Sequence, residues 1–156
     1  MKPADAGQTR YQALLQVLRT ADRIWNASRL FFEHWDLSPS QFNVLNLLQA
    51  HPDGLSQIEL SRQLIMHRSN VTGLIDRLER RRLVQRKDLA TDRRAYRVVL
   101  TEIGARLLNE ILPHYYRSAD EVWEGLSSKR ISQLTTDLKQ MAQNAERIGT
   151  QDVQPL

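Results

Sequence analysis

The stretch from Leu55 to Arg97 constrains the fold more than any other part of the chain. It opens with two short amphipathic patterns that are closely joined, which predict a pair of helices. Two short apolar runs follow, at 83–86 and 96–100, and they predict paired strands. The polar segment of about 87–94 between them is too long for a tight hairpin and predicts an open loop. This order predicts a mainly helical chain with a small two-stranded element at its centre.

The second helix of the pair divides into an apolar and a polar face. It is expected to begin near His67 or Arg68 and to end near Arg81 or Arg82. Apolar side chains recur at the i, i+3, i+4, i+7 spacing of one buried stripe, at Val71, Leu74, Ile75 and Leu78. The other residues are mostly polar or carry a guanidinium, the types that reach base edges and phosphates. We therefore expect DNA contacts in the major groove from Arg68, Ser69, Asn70, Thr72, Gly73 and Arg77. At Gly73, close packing and close approach of DNA explain the missing side chain equally well.

Basic residues concentrate in the same stretch. Residues 62–97 contain eleven Lys or Arg and four Asp or Glu, a local charge of +7, whereas the whole chain carries +4. A basic block on a slightly acidic body matches the phosphate backbone of double-stranded DNA. An ordinary solvated face is the alternative. In the loop, Arg93 and Arg94 are expected to contact DNA, with Asp92 orienting one of them. Further candidate phosphate contacts are Arg62, Arg86 and Lys87.

Cap signals define the helices at the start of this region. Ser38 and Pro39 predict the first turn of a helix, because serine is a good N-cap and proline fits the first helical position. Ser56 and Glu59 form an S-x-x-E capping box at the start of the first helix of the pair. That helix is expected to end near 65–66. Its apolar contacts are expected from Ile58, Leu60 and Leu64.

A long amphipathic helix precedes the central region. It is expected from Thr9 to about Trp35, after a frayed segment 1–8. Its apolar residues form two stripes, which predict burial on more than one side. A helix central to its own core would explain the two stripes. Pairing with a second copy of the chain explains them as well, and a small domain rarely needs such burial at its first helix.

Two more amphipathic helices follow the strands. Thr101 is expected to cap the first, Pro113 to kink it, and the break at 125–127 to separate it from the last helix. The flanking helices are too large to share a core with so small a centre. Packing against the same helices of a second copy solves this, and twofold symmetry is the commonest closed arrangement. We therefore expect dimerisation helices at 9–36 and 102–148 around a DNA-binding unit at 37–101.

Composition and missing motifs exclude several classes of protein. The 156 residues include no cysteine, which excludes disulfides and cysteine-ligated zinc. There is no run of 18 apolar residues and no apolar leader at the N-terminus, so we expect a cytoplasmic chain without a membrane span. The four histidines lack metal-ligand spacing, and Glu33, His34 and Asp36 form only a weak cluster, so no metal or cofactor is expected. No phosphate-binding, nucleophile or metalloprotease motif is present, so an enzyme is not expected.

Five short motifs are more specific than the composition. They are LSPSQF at 37–42, LSQ-x-EL at 55–60, SNVTGLIDRLE at 69–79, DRR at 92–94 and VLTE-x-G at 99–104. Together they resemble the MarR family of bacterial transcriptional regulators. The likeness covers about 9–148, and its specific part is 55–104.

The resemblance implies a mainly α fold with a small β wing, a winged helix-turn-helix flanked by N- and C-terminal dimerisation helices. It implies that the helix beginning near His67 lies in the major groove and that Arg94 of the wing lies in or beside the minor groove. Two residues depart from the family pattern. Arg82 stands where the family usually has Gly, which predicts a different helix end and a further phosphate contact. His67 stands where a capping Asp, Ser or Thr is common.

The resemblance also implies an effector, because many family members release DNA when a small aromatic or phenolic ligand binds beside the dimerisation helices. Candidate pocket residues, with Arg29 for a carboxylate, are Trp25, Ser28, Arg29, Phe32 and Tyr116. A purely structural role in the dimer core is the alternative for these aromatic residues. The expected function is a homodimeric, sequence-specific repressor that binds a pseudo-palindromic operator. A protein-binding winged helix and a constitutive DNA-binding protein without ligand sensing are the alternatives.

Overall fold

A computed structural model describes residues 3–64, 71–89 and 92–149, with backbone alone at 3–6, 89, 92–95 and 149. These ranges contain six helices and two strands. In chain order they are α1 (Pro3–Glu33), α2 (Pro39–Gln49), α3 (Gln57–Gln63), α4 (Val71–Arg80), β1 (Val84–Leu89), β2 (Asp92–Leu100), α5 (Glu102–Val122) and α6 (Ser128–Gly149). The predicted fold class, mainly α with a small β wing, is confirmed. The chain divides into two compact units, Met1–Glu110 and Ile111–Leu156, and the division falls inside α5.

Helix α1 is longer than expected at its start. It begins at Pro3, so the prediction that residues 1–8 fray is wrong for the described residues 3–8. Proline is well tolerated in a first helical turn, and apolar periodicity cannot locate a helix start among polar residues. At the other end, Asp36 adopts a left-handed φ of 51°. The Leu37 N–H then donates to the Phe32 carbonyl at 3.1 Å, which closes the helix with a Schellman bond.

Both predicted N-caps of the central helices are confirmed. The Ser38 hydroxyl accepts from the Gln41 N–H, and the Gln41 side chain accepts from the Ser38 N–H at 2.8 Å. The same reciprocal pair joins Ser56 and Glu59 at the start of α3. Each capping box satisfies two N–H groups that a helix start would otherwise leave unpaired. Helix α3 ends at Gln63, two residues earlier than expected, with Leu64 as its C-cap.

The core of the first unit joins the end of α1 to the helix pair and the strands. Phe32 is 2% exposed and stacks on Phe42 with ring centroids 4.4 Å apart. The predicted stripe of α4 is buried, as are Leu60 and Leu64 of the α3 segment. Ile58, expected as a core contact, is 63% exposed, so that prediction is wrong. With seven residues, α3 has room for one narrow buried face, and Ile58 lies outside it.

The turn that closes α4 at Arg82 has the geometry that a glycine usually provides. Arg82 adopts a left-handed φ of 58°. The Arg82 N–H donates to the Glu79 carbonyl at 2.8 Å, and the Leu83 N–H donates to the Leu78 carbonyl at 3.0 Å. These two bonds form a Schellman motif. The expectation that Arg82 would change the helix end is therefore wrong; the non-glycine residue keeps the cap at a conformational cost.

The two strands form one antiparallel hairpin that is longer than expected. Pairing runs from Val84–Leu100 to Asp88–Tyr96 and then shifts to Leu89–Asp92. Only residues 90–91 separate the strands, so the prediction of an open loop over 87–94 is wrong. Because of this register shift, residues 93–95 of β2 lie between the partners of two consecutive β1 residues, Asp88 and Leu89, and form a bulge. Polar residues such as Lys87 and Asp88 are exposed on this hairpin, and an exposed strand and a loop have similar compositions.

The strands are fixed to the helix pair at their base. Leu55 exchanges two backbone hydrogen bonds with Val98, at 3.0 and 2.8 Å. Gly104, in the first turn of α5, lies so close to the Leu83 carbonyl that an added Cβ would be 2.1 Å from the carbonyl oxygen. The Thr101 hydroxyl accepts from the Gly104 N–H at 3.0 Å, which confirms Thr101 as the cap of α5.

The second unit contains the rest of α5 and α6. Pro113 lies inside α5. The predicted break is confirmed, since Gly125 has a left-handed φ of 79° and α6 begins at Ser128. Exposed apolar side chains follow α6 at Leu134, Leu138, Met141 and Ile148. In the parts of the chain that the structure describes, no helix combines the length and apolarity required to cross a membrane.

Candidate nucleic-acid interface

The start of α3 is fixed by hydrogen bonds and an ion pair, next to the surface that the sequence predicts to contact DNA. Hydrogen bonds from the Ser56 backbone and hydroxyl lower the pKa of Glu59, and the nearby Arg97 guanidinium adds to this effect. The Arg97 guanidinium lies 3.5 Å from the Glu59 carboxylate. It also donates to the Gly54 carbonyl at 2.7 Å. Arg97 therefore joins the base of β2 to the turn before α3, and its positive charge is paired with the Glu59 carboxylate there.

The solvent-exposed side of α4 carries neutral polar, acidic and basic side chains. Thr72, Asp76 and Arg77 are exposed, and Gly73 is half-buried. Arg68, Ser69 and Asn70, three of the predicted groove residues, lie outside the described residues. Arg77 does not project from the middle of this outward face; it lines the hollows that α4 forms with α1 and α2. Of the predicted groove residues whose surroundings are described, Thr72 is exposed and lies outside both hollows, whereas Gly73 is half-buried one turn before Arg77.

Arg86 of β1 is bound to α4. Its guanidinium donates to Asp76 and to Glu79, and its backbone N–H donates to the Glu79 carboxylate at 2.9 Å. The guanidinium carbon lies 5.2 Å from the centre of the Tyr96 ring. Burial opposes the charge, but the hydrogen bonds to Asp76 and Tyr96 and the charge of Glu79 outweigh it and raise the pKa of Arg86 above its usual value. Two carboxylates thus neutralise the charge of Arg86, which was predicted to contact phosphate. Through these bonds Arg86 joins the wing to α4.

A second set of contacts joins the wing to α3. The Tyr96 hydroxyl donates to the Gln57 side-chain carbonyl at 2.6 Å. The Gln57 amide in turn donates to the Thr72 hydroxyl oxygen. These contacts lead from β2 through α3 to α4. Arg86 closes a ring of side chains from α4 through both strands and α3 back to α4. No local sequence signal marks this ring, because its members are far apart along the chain.

The predicted phosphate contacts differ in their surroundings. Arg62 is exposed on α3 and Lys87 is exposed on β1. Asp92, Arg93 and Arg94 lie in β2 next to the hairpin end, but their side chains are outside the described atoms. Within the described part of the chain, no group of three His, Cys, Asp or Glu is arranged to hold a metal ion.

A cavity of about 350 Å³ lies between α1, the start of α2 and α4. A volume of this size is in the range of small-molecule sites. Of the predicted pocket residues, the structure brings Trp25 and Arg29 to this cavity. Its other lining residues, which periodicity did not reveal as pocket residues, are Glu33, Leu37, Ser38, Pro39, Ser40, Leu64, Val71, Leu74 and Arg77.

Three predicted pocket residues are not part of this lining. The Ser28 hydroxyl donates to the Ile24 carbonyl of its own helix at 2.8 Å. Phe32 is buried against Phe42. Tyr116 belongs to the second unit, where it is exposed. The sequence places Trp25, Ser28, Arg29 and Phe32 on one stretch of α1, but only part of that stretch faces the cavity.

An arginine-rich cleft adjoins the cavity. It has a volume of about 510 Å³ and is lined by Asp36, Ser38, Gln41, Arg77, Arg80 and Arg81. Arg81 donates to the backbone carbonyls of Trp35 and Asp36 at the end of α1. It thereby ties the C-terminal end of α4 to the α1–α2 turn. Arg77 lines both hollows and separates the more apolar cavity from the basic cleft.

Known proteins share this architecture. A sequence model of the MarR family matches residues 35–95. The HTH-type transcriptional regulator MhqR of Bacillus subtilis (strain 168) is 33% identical over 111 residues, which cover 71% of this chain and 76% of that protein. The MepR–DNA complex of S. aureus has a TM-score of 0.75 at 24% identity, over 86% of this chain and 97% of that one. The BpsR structure of Bordetella bronchiseptica has a TM-score of 0.68 at 24% identity, over 81% of this chain and 98% of that one.

The two structural likenesses establish the fold alone. The family follows from the regulator that is 33% identical, and the matching family model, which runs from α2 to the start of β2, agrees with it. Those elements contain the helix pair and the wing. The chain belongs to the MarR family and is a DNA-binding transcriptional regulator, not an enzyme.

Proposed function

We propose that this regulator is a homodimeric repressor that binds a pseudo-palindromic operator and is released by a small aromatic acid or phenol. The observation that carries the proposal is the rigid connection of α3, α4 and the wing, which presents the outward side of α4 and the hairpin as one surface. Two copies related by a twofold axis would read half-sites about 10 bp apart. MepR, a protein of the same fold, has been solved with DNA.

The proposed DNA contacts follow from the exposed positions. Residues before and within the first turn of α4 are assigned to the major groove: Arg68, Ser69, Asn70, Thr72 and Gly73. Arg93 and Arg94 of the wing are assigned to the minor groove or its edges. Arg62 and Lys87 are assigned to phosphates because their side chains are exposed and basic. We assign Arg86 to positioning the wing and Arg77 to the wall of the cavity.

Dimerisation is proposed from apolar side chains that remain exposed in one copy. On α1, exposure ranges from 46% at Ile24 to 70% at Leu30 and includes Tyr11, Leu14 and Leu18. Monomers rarely expose so extended an apolar surface. Segments 9–36 and 102–148 are therefore proposed as dimerisation helices around the DNA-binding unit 37–101. Light scattering coupled to size-exclusion chromatography tests this: we expect twice 18.1 kDa, and a monomer at micromolar concentration would contradict it.

The effector proposal rests on the cavity. Trp25 offers an aromatic face, and Leu37 and Leu74 offer apolar walls. Arg29 and Arg77 offer guanidinium groups for a carboxylate or phenolate, with Glu33 as the opposing charge. The solved BpsR structure concerns regulation of DNA binding by 6-hydroxynicotinic acid, an aromatic acid of the size that such a cavity holds. Because Val71 and Leu74 belong to α4, a ligand there would press on the DNA-reading helix itself.

A two-step binding experiment tests the function. An operator is first selected from random duplex DNA, and its affinity is measured by fluorescence anisotropy with and without excess nonspecific DNA. Retained binding supports a sequence-specific regulator, whereas failure to select a sequence favours a protein-binding module. Aromatic acids and phenols are then added to the complex. Release by a compound that also raises the melting temperature supports effector control. No release by any compound, together with intact binding, favours a constitutive DNA-binding protein.

A further inference from the structure

The hydrogen bonds that join Tyr96, Gln57 and Thr72 have a fixed direction. The Tyr96 hydroxyl donates to the Gln57 carbonyl at 2.6 Å, so the Gln57 amide group faces Thr72. That amide group has only protons to offer, and it donates to the Thr72 hydroxyl oxygen. The Thr72 oxygen is therefore already an acceptor inside the protein. Its single proton is left for a different partner.

Arg86 sets this direction at the other end. A guanidinium donates hydrogen bonds and accepts none. The guanidinium carbon of Arg86 lies 5.2 Å from the centre of the Tyr96 ring, so it offers the phenol no acceptor on that side, and the phenol proton goes to Gln57. Asp76 and Glu79 hold Arg86 in place from α4. Among these groups the guanidinium alone cannot act as an acceptor, and its position favours the direction in which the phenol donates to Gln57.

We propose that Tyr96 and Gln57 form a directional relay that presents the Thr72 hydroxyl to DNA as a hydrogen-bond donor for an acceptor atom. The acceptor is a purine N7 in the major groove or a phosphate oxygen. A free threonine hydroxyl rotates between donors and acceptors, whereas the Gln57 amide occupies one lone pair of this one and turns its proton toward acceptors. Tyr96 and Gln57 are positioning residues in this scheme, and Thr72 is the contact. The inference rests on the proposed sequence-specific binding of DNA.

The position of Thr72 supports this role. It is exposed and lies in the first turn of α4, on the side away from the buried stripe. The neighbouring Gly73 adds no side chain that would keep DNA away. Tyr96 and Gln57 are only partly exposed, which protects their bond from competition by water. A hydroxyl held in this way also loses less conformational freedom when it binds DNA.

Variants that remove single atoms test the relay on the selected operator duplex. Thr72→Val keeps the shape but removes the hydroxyl, and we expect the affinity to fall about five-fold for each half-site, the range of one hydrogen bond. Thr72→Ser keeps the hydroxyl and should retain most of the affinity. Tyr96→Phe keeps the ring beside Arg86 and removes the hydroxyl that donates to Gln57. We expect a two- to three-fold loss from Tyr96→Phe, with a melting temperature close to that of the parent protein.

The double variant separates positioning from a general structural effect. If Tyr96 acts through Thr72, adding Tyr96→Phe to Thr72→Val causes no further loss of affinity. An equal loss from Tyr96→Phe in both backgrounds would overturn the relay. So would an unchanged affinity of Thr72→Val, the result expected if the hydroxyl proton bonds only within its own helix.

Modified DNA identifies the acceptor. Operators with 7-deazapurines or methylphosphonates at single positions remove one base nitrogen or one phosphate charge at a time. At one position the parent protein should lose about five-fold, and Thr72→Val should lose nothing there. A loss with 7-deazapurine assigns a base, and a loss with methylphosphonate assigns the backbone. Modifications that affect both proteins equally at every position would overturn the inference while leaving the proposed function intact. Failure to select any operator would overturn the proposed function itself.

Discussion

Replacement of Arg86 by methionine should destabilise the protein without weakening a phosphate contact. The Arg86 side chain is 24% exposed and its partners Asp76 and Glu79 are 50% and 35% exposed. Because both carboxylates reach solvent, each ion pair is discounted to about 1 kcal/mol. Loss of the guanidinium from the Tyr96 ring adds about 0.5 kcal/mol. The sum is about 2.5 kcal/mol, which corresponds to a fall in melting temperature of about 5–10 °C for a chain of this length.

The neighbouring Lys87 provides a matched control. Lys87 is exposed on β1, next to Arg86 in the sequence. Lys87→Met should therefore change the melting temperature by less than about 2 °C. On DNA the order reverses: Lys87→Met should reduce the slope of log affinity against log salt by about one unit, and Arg86→Met should leave it unchanged.

Calorimetry and anisotropy at three salt concentrations measure both effects on the same samples. Equal melting temperatures for the two variants would refute the assignment of Arg86 to the joint between α4 and the wing. A reduced salt slope for Arg86→Met, measured well below its melting temperature, would show that the guanidinium contacts DNA in spite of its two carboxylate partners.

Three further predictions concern the helix ends. Arg82→Gly should stabilise the protein by about 1 kcal/mol in urea unfolding, because it removes the cost of the left-handed φ of 58°; a destabilisation would contradict the Schellman assignment. Gly104→Ala should destabilise by about 2 kcal/mol or more in the same assay, since its Cβ would lie 2.1 Å from the Leu83 carbonyl oxygen. The lowered pKa of Glu59 means that its contribution to stability is present above the usual value of 4.5 and is lost as the pH falls through the lower native pKa. Glu59→Gln should reduce the pH dependence of the free energy of unfolding in that acid range, and NMR titration should give Glu59 a pKa below 4.5.

The parts of the fold set by neighbouring residues could be predicted from the sequence. The capping boxes at Ser38 and Ser56 connect groups three residues apart, and the buried stripe of α4 depends on helical periodicity alone. The left-handed turn at Arg82 shows the limit of this reasoning. Tertiary packing imposed the same helix end without the glycine that usually signals it, since the hydrogen bonds of Leu83 and Arg82 outweigh the backbone cost.

Contacts between distant residues could not be predicted. Gln57 and Tyr96 are 39 positions apart and Arg81 reaches Trp35 across 46, so no window of sequence contains either pair. The sequence predicts Arg86 as a phosphate contact because a count of charges does not show which acidic residues pair with each basic one. The pocket was found only in part for a similar reason: Trp25 and Arg29 lie on one helix, whereas Leu64 and Val71 come from the helix pair. The length of the wing was missed because an exposed polar strand has the composition of a loop.

The joints around α4 bear on how a ligand in the cavity would act. Val71, Leu74 and Arg77 of α4 line the cavity, and Arg86 and Gln57 tie the same helix to the wing and to α3. A ligand that displaced α4 alone would have to break two sets of hydrogen bonds, whereas a movement of α3, α4 and the wing together breaks none of them. The second route costs less free energy. Effector control would therefore change the distance between the two DNA-binding units of a dimer and leave each unit intact, so a ligand should weaken binding to a full operator far more than binding to a single half-site.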